Sequence, residues 1–316
     1  MRKLIKALVV AASFVVAGQA AAQVPPGMPD FMKPPADAPP PKAVGLGSYE
    51  VEVVSDPSLP THTLYRPADL KAFAGGRLPV VAWGNGACAN VGLAFETFLR
   101  SIASHGYLVV AIGPKDAKMP SFAPPEPGKP FVPPPPASKA SQLIDAIDWA
   151  IAQNAQAGGP YAGKLDVKAI AVAGQSCGGL QTIKASADPR VTTSLIFNSG
   201  VLPPTPDMPK LVDVTRADLE AFHAPAAYFI GGPTDIAFKN AEDDFAHIRG
   251  PVFKGNLNVG HMGTFNQPNG GWFAVVAVAW LDWRLKGDAK AGELFSGPAC
   301  GLCVNPVWSV QKKAMP

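Results

Sequence analysis

The sequence predicts an α/β protein built on one mostly parallel central sheet of about eight strands, with helices on both faces. Three observations carry this. From Ser48 onward, apolar runs of strand length alternate with helical stripes. Several of those runs are apolar at every position, as strands covered on both faces are. The 316 residues are 47% hydrophobic and 16% charged, which supplies a large core and excludes general disorder.

The chain opens with a basic stretch, Met1–Lys6, an apolar run, Ala7–Ala17, and the small residues Ala20-Ala21-Ala22. This is the pattern of an export signal over residues 1–22, and its apolar run is too short to span a bilayer, which takes about 20 residues. No cysteine near Ala22 points to a lipid anchor. Arg2, Lys3 and Lys6 account for three of the 27 basic residues, so cleavage leaves 24 against 24 acidic ones and takes the formal charge from +3 to zero. A neutral mature chain offers no electrostatic case for nucleic acid or an anionic membrane as partner. The expected location is the periplasm or the exterior, as a monomer with no membrane span.

Of 35 prolines, eight fall in residues 24–41 and ten in residues 114–136. The first group predicts an extended, disordered leader over 23–47, and the second a long loop inside the folded domain, 48–298. Tyr49–Val54 and Thr61–Tyr65 alternate like two antiparallel opening strands. Leu78–Trp83 and Tyr107–Ile112 read as buried strands, separated by a helix over Phe95–Ala103. Ser141–Gln153 places Leu143, Ile144, Ile147, Ala150 and Ile151 on one helical stripe. Ala169–Ala173, Thr193–Phe197, Ala226–Gly231 and Val252–Val259 complete the strands. Helices start near Gly178, Arg216 and Ile236, and Trp272–Lys286 forms a buried final helix. Residues 299–316 remain as a tail.

Gly174-Gln175-Ser176-Cys177-Gly178-Gly179 stands between a buried strand and a helix, the context in which G-x-S-x-G forms a nucleophile elbow. Small neighbours let strand and helix approach, and Ser176 sits at a helix N-terminus that favours developing negative charge. A serine hydroxyl needs a base, and the base an orienting acid; with such an elbow the order is serine, acid, histidine. Only His223, His247 and His261 follow Ser176, and His261 alone lies in a glycine-bracketed loop after the last strand. Asp235 follows a strand through Gly232-Pro233-Thr234 and is the favoured acid over Asp207, Asp213, Asp243 and Asp244. Candidate N–H donors for an oxyanion are Cys177 and, in the loop after Leu78–Trp83, Ala87, with Gly86 and Asn85 as alternatives. The same loop, Gly84-Asn85-Gly86-Ala87-Cys88-Ala89, matches a dinucleotide fingerprint, but the next strand ends Ala111-Ile112-Gly113-Pro114 without the ribose-binding acid. The five histidines form no H-x-H or H-E-x-x-H. Neither a cofactor nor a metal is expected.

Trp83-Gly84-Asn85-Gly86, Ile102–Tyr107, Gly174–Gly179, Asp188-Pro189-Arg190-Val191, Ile230–Asp235 and Trp280–Asp288 occur in the order seen in α/β-hydrolases. From Ser48 to Pro298 the chain resembles the branch of that superfamily with cutinase-like polyester hydrolases and chlorophyllase-like enzymes. The resemblance implies an α/β-hydrolase fold and an exported serine esterase, with Ser176 as nucleophile, Asp235 as acid and His261 as base. Gln175-Ser176-Cys177 stands where those polyesterases carry His-Ser-Met, and Ala87 where they carry an aromatic residue.

In that fold the strands preceding Cys88 and Cys177 are neighbours, which pairs Cys88 with Cys177 across the two candidate N–H donors. Cys300 then pairs with Cys303 in the tail, where a C-x-x-C redox centre lacks its helix start. Leu202–Ala221 is too short for a large lid, so an open cleft is expected. Phe122 and Phe131, in the proline-rich loop, are candidates for its rim. The expected reaction is hydrolysis of a small or polymeric carboxylic ester through an acyl-enzyme, with neutral His261 as base. An acyltransferase with the same three residues and a non-catalytic hydrolase-like binding protein are the alternatives.

Overall fold

The apolar runs of strand length between Tyr49 and Val259 all join one sheet. A computed structural model describes residues 32–119, 135–203 and 210–315. Its nine strands lie in the order β1-β2-β4-β3-β5-β6-β7-β8-β9. They are β1 (Val51–Val54), β2 (His62–Pro67), β3 (Leu78–Gly84), β4 (Leu108–Ile112), β5 (Leu165–Gln175), β6 (Thr193–Phe197), β7 (Ala226–Ile230), β8 (Val252–Leu257) and β9 (Trp308–Lys313). From β4 across to β8 every pairing is parallel, while β1, β2 and β9 pair antiparallel at the margins.

Alternation within β3 explains its unbroken apolar run. Val81 and Trp83 join one core with α1 (Glu96–Ser104) and α6 (Gly271–Lys286), through Phe98, Ile102, Phe273 and Trp280. Val80 and Ala82 face the opposite core, built with Leu143, Ile147 and Trp149 of α2 (Ser141–Ala155). Successive strand residues point to opposite faces, so a strand with helices on both sides has no polar face to show. A third core joins Leu180 and Ile183 of α3 (Cys177–Ala185) to β6, β7 and Ala241 of α5 (Phe238–His247). The short α4 (Arg216–Glu220) and α7 (Ala289–Gly292) are the remaining α-helices among the described residues.

Strand order places the site. The chain leaves β3 for β4 on one side, and β5 returns on the other side of β3. Loops leaving the C-terminal ends of β3 and β5 therefore diverge toward opposite faces and open a crevice between them, the usual ligand position in such sheets.

Two segments differ from expectation. The supposed tail supplies β9, where Trp308 is the one buried residue and the rest alternates between exposed and half-buried. A polar edge strand has little hydrophobic signature. Residues 32–47 of the leader lie against the body, with the Gly47 N–H donating to Ser104 Oγ at 2.8 Å and Asn269 Nδ2 to the Val44 carbonyl at 2.7 Å. Proline removes regular structure from such a segment without preventing docking. No helix among the described residues is long and apolar enough to cross a membrane.

Candidate active site

β5 ends at Gln175 and α3 begins at Cys177, so Ser176 alone makes the turn, at φ 53° and ψ −117°. This conformation is strained for a residue with a side chain. It is held by the Ser176 N–H donating to the Phe197 carbonyl at 2.9 Å and by Ser199 Oγ–H donating to the Ser176 carbonyl at 2.7 Å. The glycines of the motif serve close approach. A Cβ at Gly178 would stand 2.1 Å from the Gly84 carbonyl oxygen, and one at Gly174 would stand 2.3 Å from the Gly178 carbonyl oxygen.

Ser176, His261 and Asp235, from three separate loops, meet in one hydrogen-bonded chain. Ser176 Oγ lies 3.0 Å from His261 Nε2, and His261 Nδ1 lies 2.7 Å from Asp235 Oδ1. An ionised carboxylate only accepts, so the Nδ1 proton faces Asp235 and Nε2 is left to accept the Ser176 proton. Burial pushes the Asp235 carboxyl up, but the bond and charge of His261 and the N–H groups of Ala237 and Gly231 outweigh it. The net effect holds Asp235 below the usual carboxylate range. Each of the other four histidines bonds a backbone carbonyl instead: His62 that of Gln142, His105 that of Ser101, His223 that of Val191 and His247 that of Asp243. Among the rival acids, Asp213 pairs with Lys210 and Asp243 with Arg216. Asp244 is buried against Val201 and Tyr228, and Asp207 lies outside the described residues.

No protein-family model matches this chain, and a search of curated proteins finds no match either.

Both expected cysteine pairings are present. Cys88 and Cys177 are disulfide-bonded with Cα atoms 5.1 Å apart, and Cys300 is bonded to Cys303. The first bridge joins the loop after β3 to the residue after Ser176. In that loop Ala87 and Cys88 take φ values of 54° and 48°. Asn85 shapes it from inside: its Oδ1 accepts from Trp83 Nε1 and its Nδ2 serves the carbonyls of Ala89, Val91 and Ile112. The Asn85 carboxamide is thus committed to the loop, while Gly86, Ala87 and Cys177 line the cleft beside Ser176.

The cleft has a volume of about 480 Å³, and its apolar walls include Phe95, Leu180, Leu202, Leu211 and Ile236. Its described lining contains no Asp, Glu, Lys or Arg; His261 is its one ionisable side chain. Phe122 and Phe131 lie outside the described residues, as do residues 204–209 of the connection expected to leave the cleft open. From the second proline-rich segment Met119 reaches the lining, and the far end of that segment is pinned where Ala137 N–H and Ser138 Oγ–H donate to the Cys88 carbonyl.

Two supporting residues were not legible in the sequence. Asn198, just after β6, donates from Nδ2 to Asp235 Oδ2 at 2.7 Å and to the Gly260 carbonyl at 3.2 Å. Gln175 donates from Nε2 to the His261 carbonyl at 3.1 Å. Their position at the C-terminal ends of neighbouring strands was the available signal, and position alone does not tell a support from a packed polar residue.

Proposed function

We propose that this chain is an exported serine hydrolase of the α/β-hydrolase type, cleaving carboxylic esters through an acyl-enzyme. The observation that carries the reading is the continuous Ser176–His261–Asp235 hydrogen-bond chain, whose Ser176 and His261 line an apolar cleft, on the C-terminal side of a mostly parallel sheet. Two disulfides suit an oxidising compartment and accord with export.

In the acylation step Ser176 Oγ attacks the ester carbonyl while His261 Nε2 takes its proton. The tetrahedral oxyanion is met by the Cys177 and Ala87 N–H groups. The C–O bond to the alcohol breaks as His261 returns the proton to the leaving oxygen. Water then repeats the sequence on the acyl-Ser176 ester, releasing the acid. Asp235 stays ionised throughout, orienting the imidazole and stabilising its protonated form.

The test is turnover of p-nitrophenyl acetate by the wild type and Ser176→Ala, with a fluorophosphonate probe localised by mass spectrometry. The reading expects a loss of about 10³-fold or more in the variant and the adduct on Ser176. Undiminished turnover, or labelling elsewhere with equal efficiency, overturns it.

A further inference from the structure

The proline-rich N-terminal segment follows the surface from α1 to the loop that carries His261. After the Gly47 and Val44 contacts, the Lys42 ammonium lies 4.9 Å from the centre of the Trp272 ring, and Asp37 Oδ1 accepts from Asn258 Nδ2 at 3.0 Å. A turn closed by Ala38 N–H donating to the Pro35 carbonyl follows. The chain then crosses Gly260, the residue before His261. A Cβ there would lie 2.9 Å from the Lys33 carbonyl oxygen and 3.5 Å from Pro35. One residue further toward the N-terminus, Met32 enters the cleft lining that contains Ser176 and His261.

Four successive anchors, ending on the loop of the base, are more than a leader needs merely to lie on a surface. Proline stiffens such a strap before it docks, so less conformational entropy is lost on docking. The strap brings one large apolar side chain to the reacting centre. Met119, from the other proline-rich segment, and Met262, beside His261, line the same cleft. The chain has seven methionines, so three of them in one cleft is a concentration of its most adaptable apolar side chain.

We propose that residues 32–44 are a working part of the substrate site. The strap places Met32 as a wall for the apolar portion of an uncharged ester, in a methionine-lined cleft that adapts to acyl or alcohol groups of differing shape. The inference rests on the ester-hydrolase reading above. An ester carrying a charge in that portion is disfavoured, because the described lining offers no charged side chain to pair with it.

The experiment compares the wild-type exported chain with Met32→Ala and with a deletion of residues 23–41, on p-nitrophenyl acetate and p-nitrophenyl decanoate. The decanoate-to-acetate ratio of kcat/KM is expected to fall about five-fold in Met32→Ala, carried mainly by KM, and further in the deletion. In the Ser176→Ala background, calorimetric binding of 2-undecanone should weaken with Met32→Ala. An unchanged ratio together with unchanged ketone binding overturns the proposal, and equal losses on both esters with a lowered Tm make the strap only a brace. Wild-type protein that hydrolyses neither ester defeats the esterase reading alone, and the ketone measurement then still decides whether Met32 forms a wall.

Discussion

Asn198 holds Asp235. Its Nδ2 donates to Asp235 Oδ2 at 2.7 Å and also to the Gly260 carbonyl at 3.2 Å, so one carboxamide ties Asp235 to the loop that carries His261. Asn198 sits at φ 45°, a backbone region that asparagine enters more readily than most residues. Asn198→Ala removes a buried, charge-assisted bond and is expected to cost about 2 kcal/mol of stability. The Gly231 and Ala237 N–H groups still hold the carboxylate, but it loses its tie to the loop that carries His261, so kcat should fall by about 10-fold with KM nearly constant. Steady-state kinetics beside thermal unfolding check this; a lowered Tm with unchanged kcat would mean that Asn198 only packs.

The Cys88–Cys177 bridge spans 89 residues and ties Cys177, one candidate oxyanion donor, to the residue that follows Ala87, the other. By loop-closure entropy a bridge of that span contributes about 4–5 kcal/mol, against much less for Cys300–Cys303, three residues apart. The Cys88→Ser/Cys177→Ser double variant should therefore lose both stability and kcat, since the two N–H groups are no longer held in one geometry. Cys300→Ser/Cys303→Ser should keep nearly full kcat. Esterase assays and unfolding on both variants separate the roles, and equal kcat losses would remove the first bridge from the site.

What the sequence could and could not reveal follows from burial. β3, β4 and the Ala169–Ala173 part of β5 were legible because strands covered on both faces must be apolar throughout, and Ser176 because glycines flank a backbone turn that tolerates no bulk. His261 and Asp235 were legible from order and loop position. β9 was not, because an edge strand with one buried residue, Trp308, has almost no apolar pattern. The docked strap was not, because proline-rich composition reports stiffness and missing N–H donors but carries no information on where a chain lies. Asn198 and Gln175 act through hydrogen bonds across distant loops, which no local pattern encodes.

Asp244 gives the fold a pH dependence opposite in sign to that of Asp235. Burial pushes its carboxyl up to about 7, against the Val201 N–H and Tyr228 hydroxyl bonds that favour ionisation, while Asp243 adds to the rise and His247 opposes it. A raised folded value means that its stabilisation is complete below the unfolded value of 3.8 and is lost as pH climbs through about 7. The loss is on the order of 4 kcal/mol across that window. Asp235, held below its usual range, contributes stability above its unfolded value that is lost only as pH falls through its folded one, so the two windows do not overlap. Asp244→Asn keeps a neutral group with an oxygen able to accept from Val201 and removes the titration. Its Tm should change little between pH 5 and pH 8, whereas the wild type falls over that range. Parallel Tm profiles for the two proteins would show that Asp244 ionises without cost to the fold.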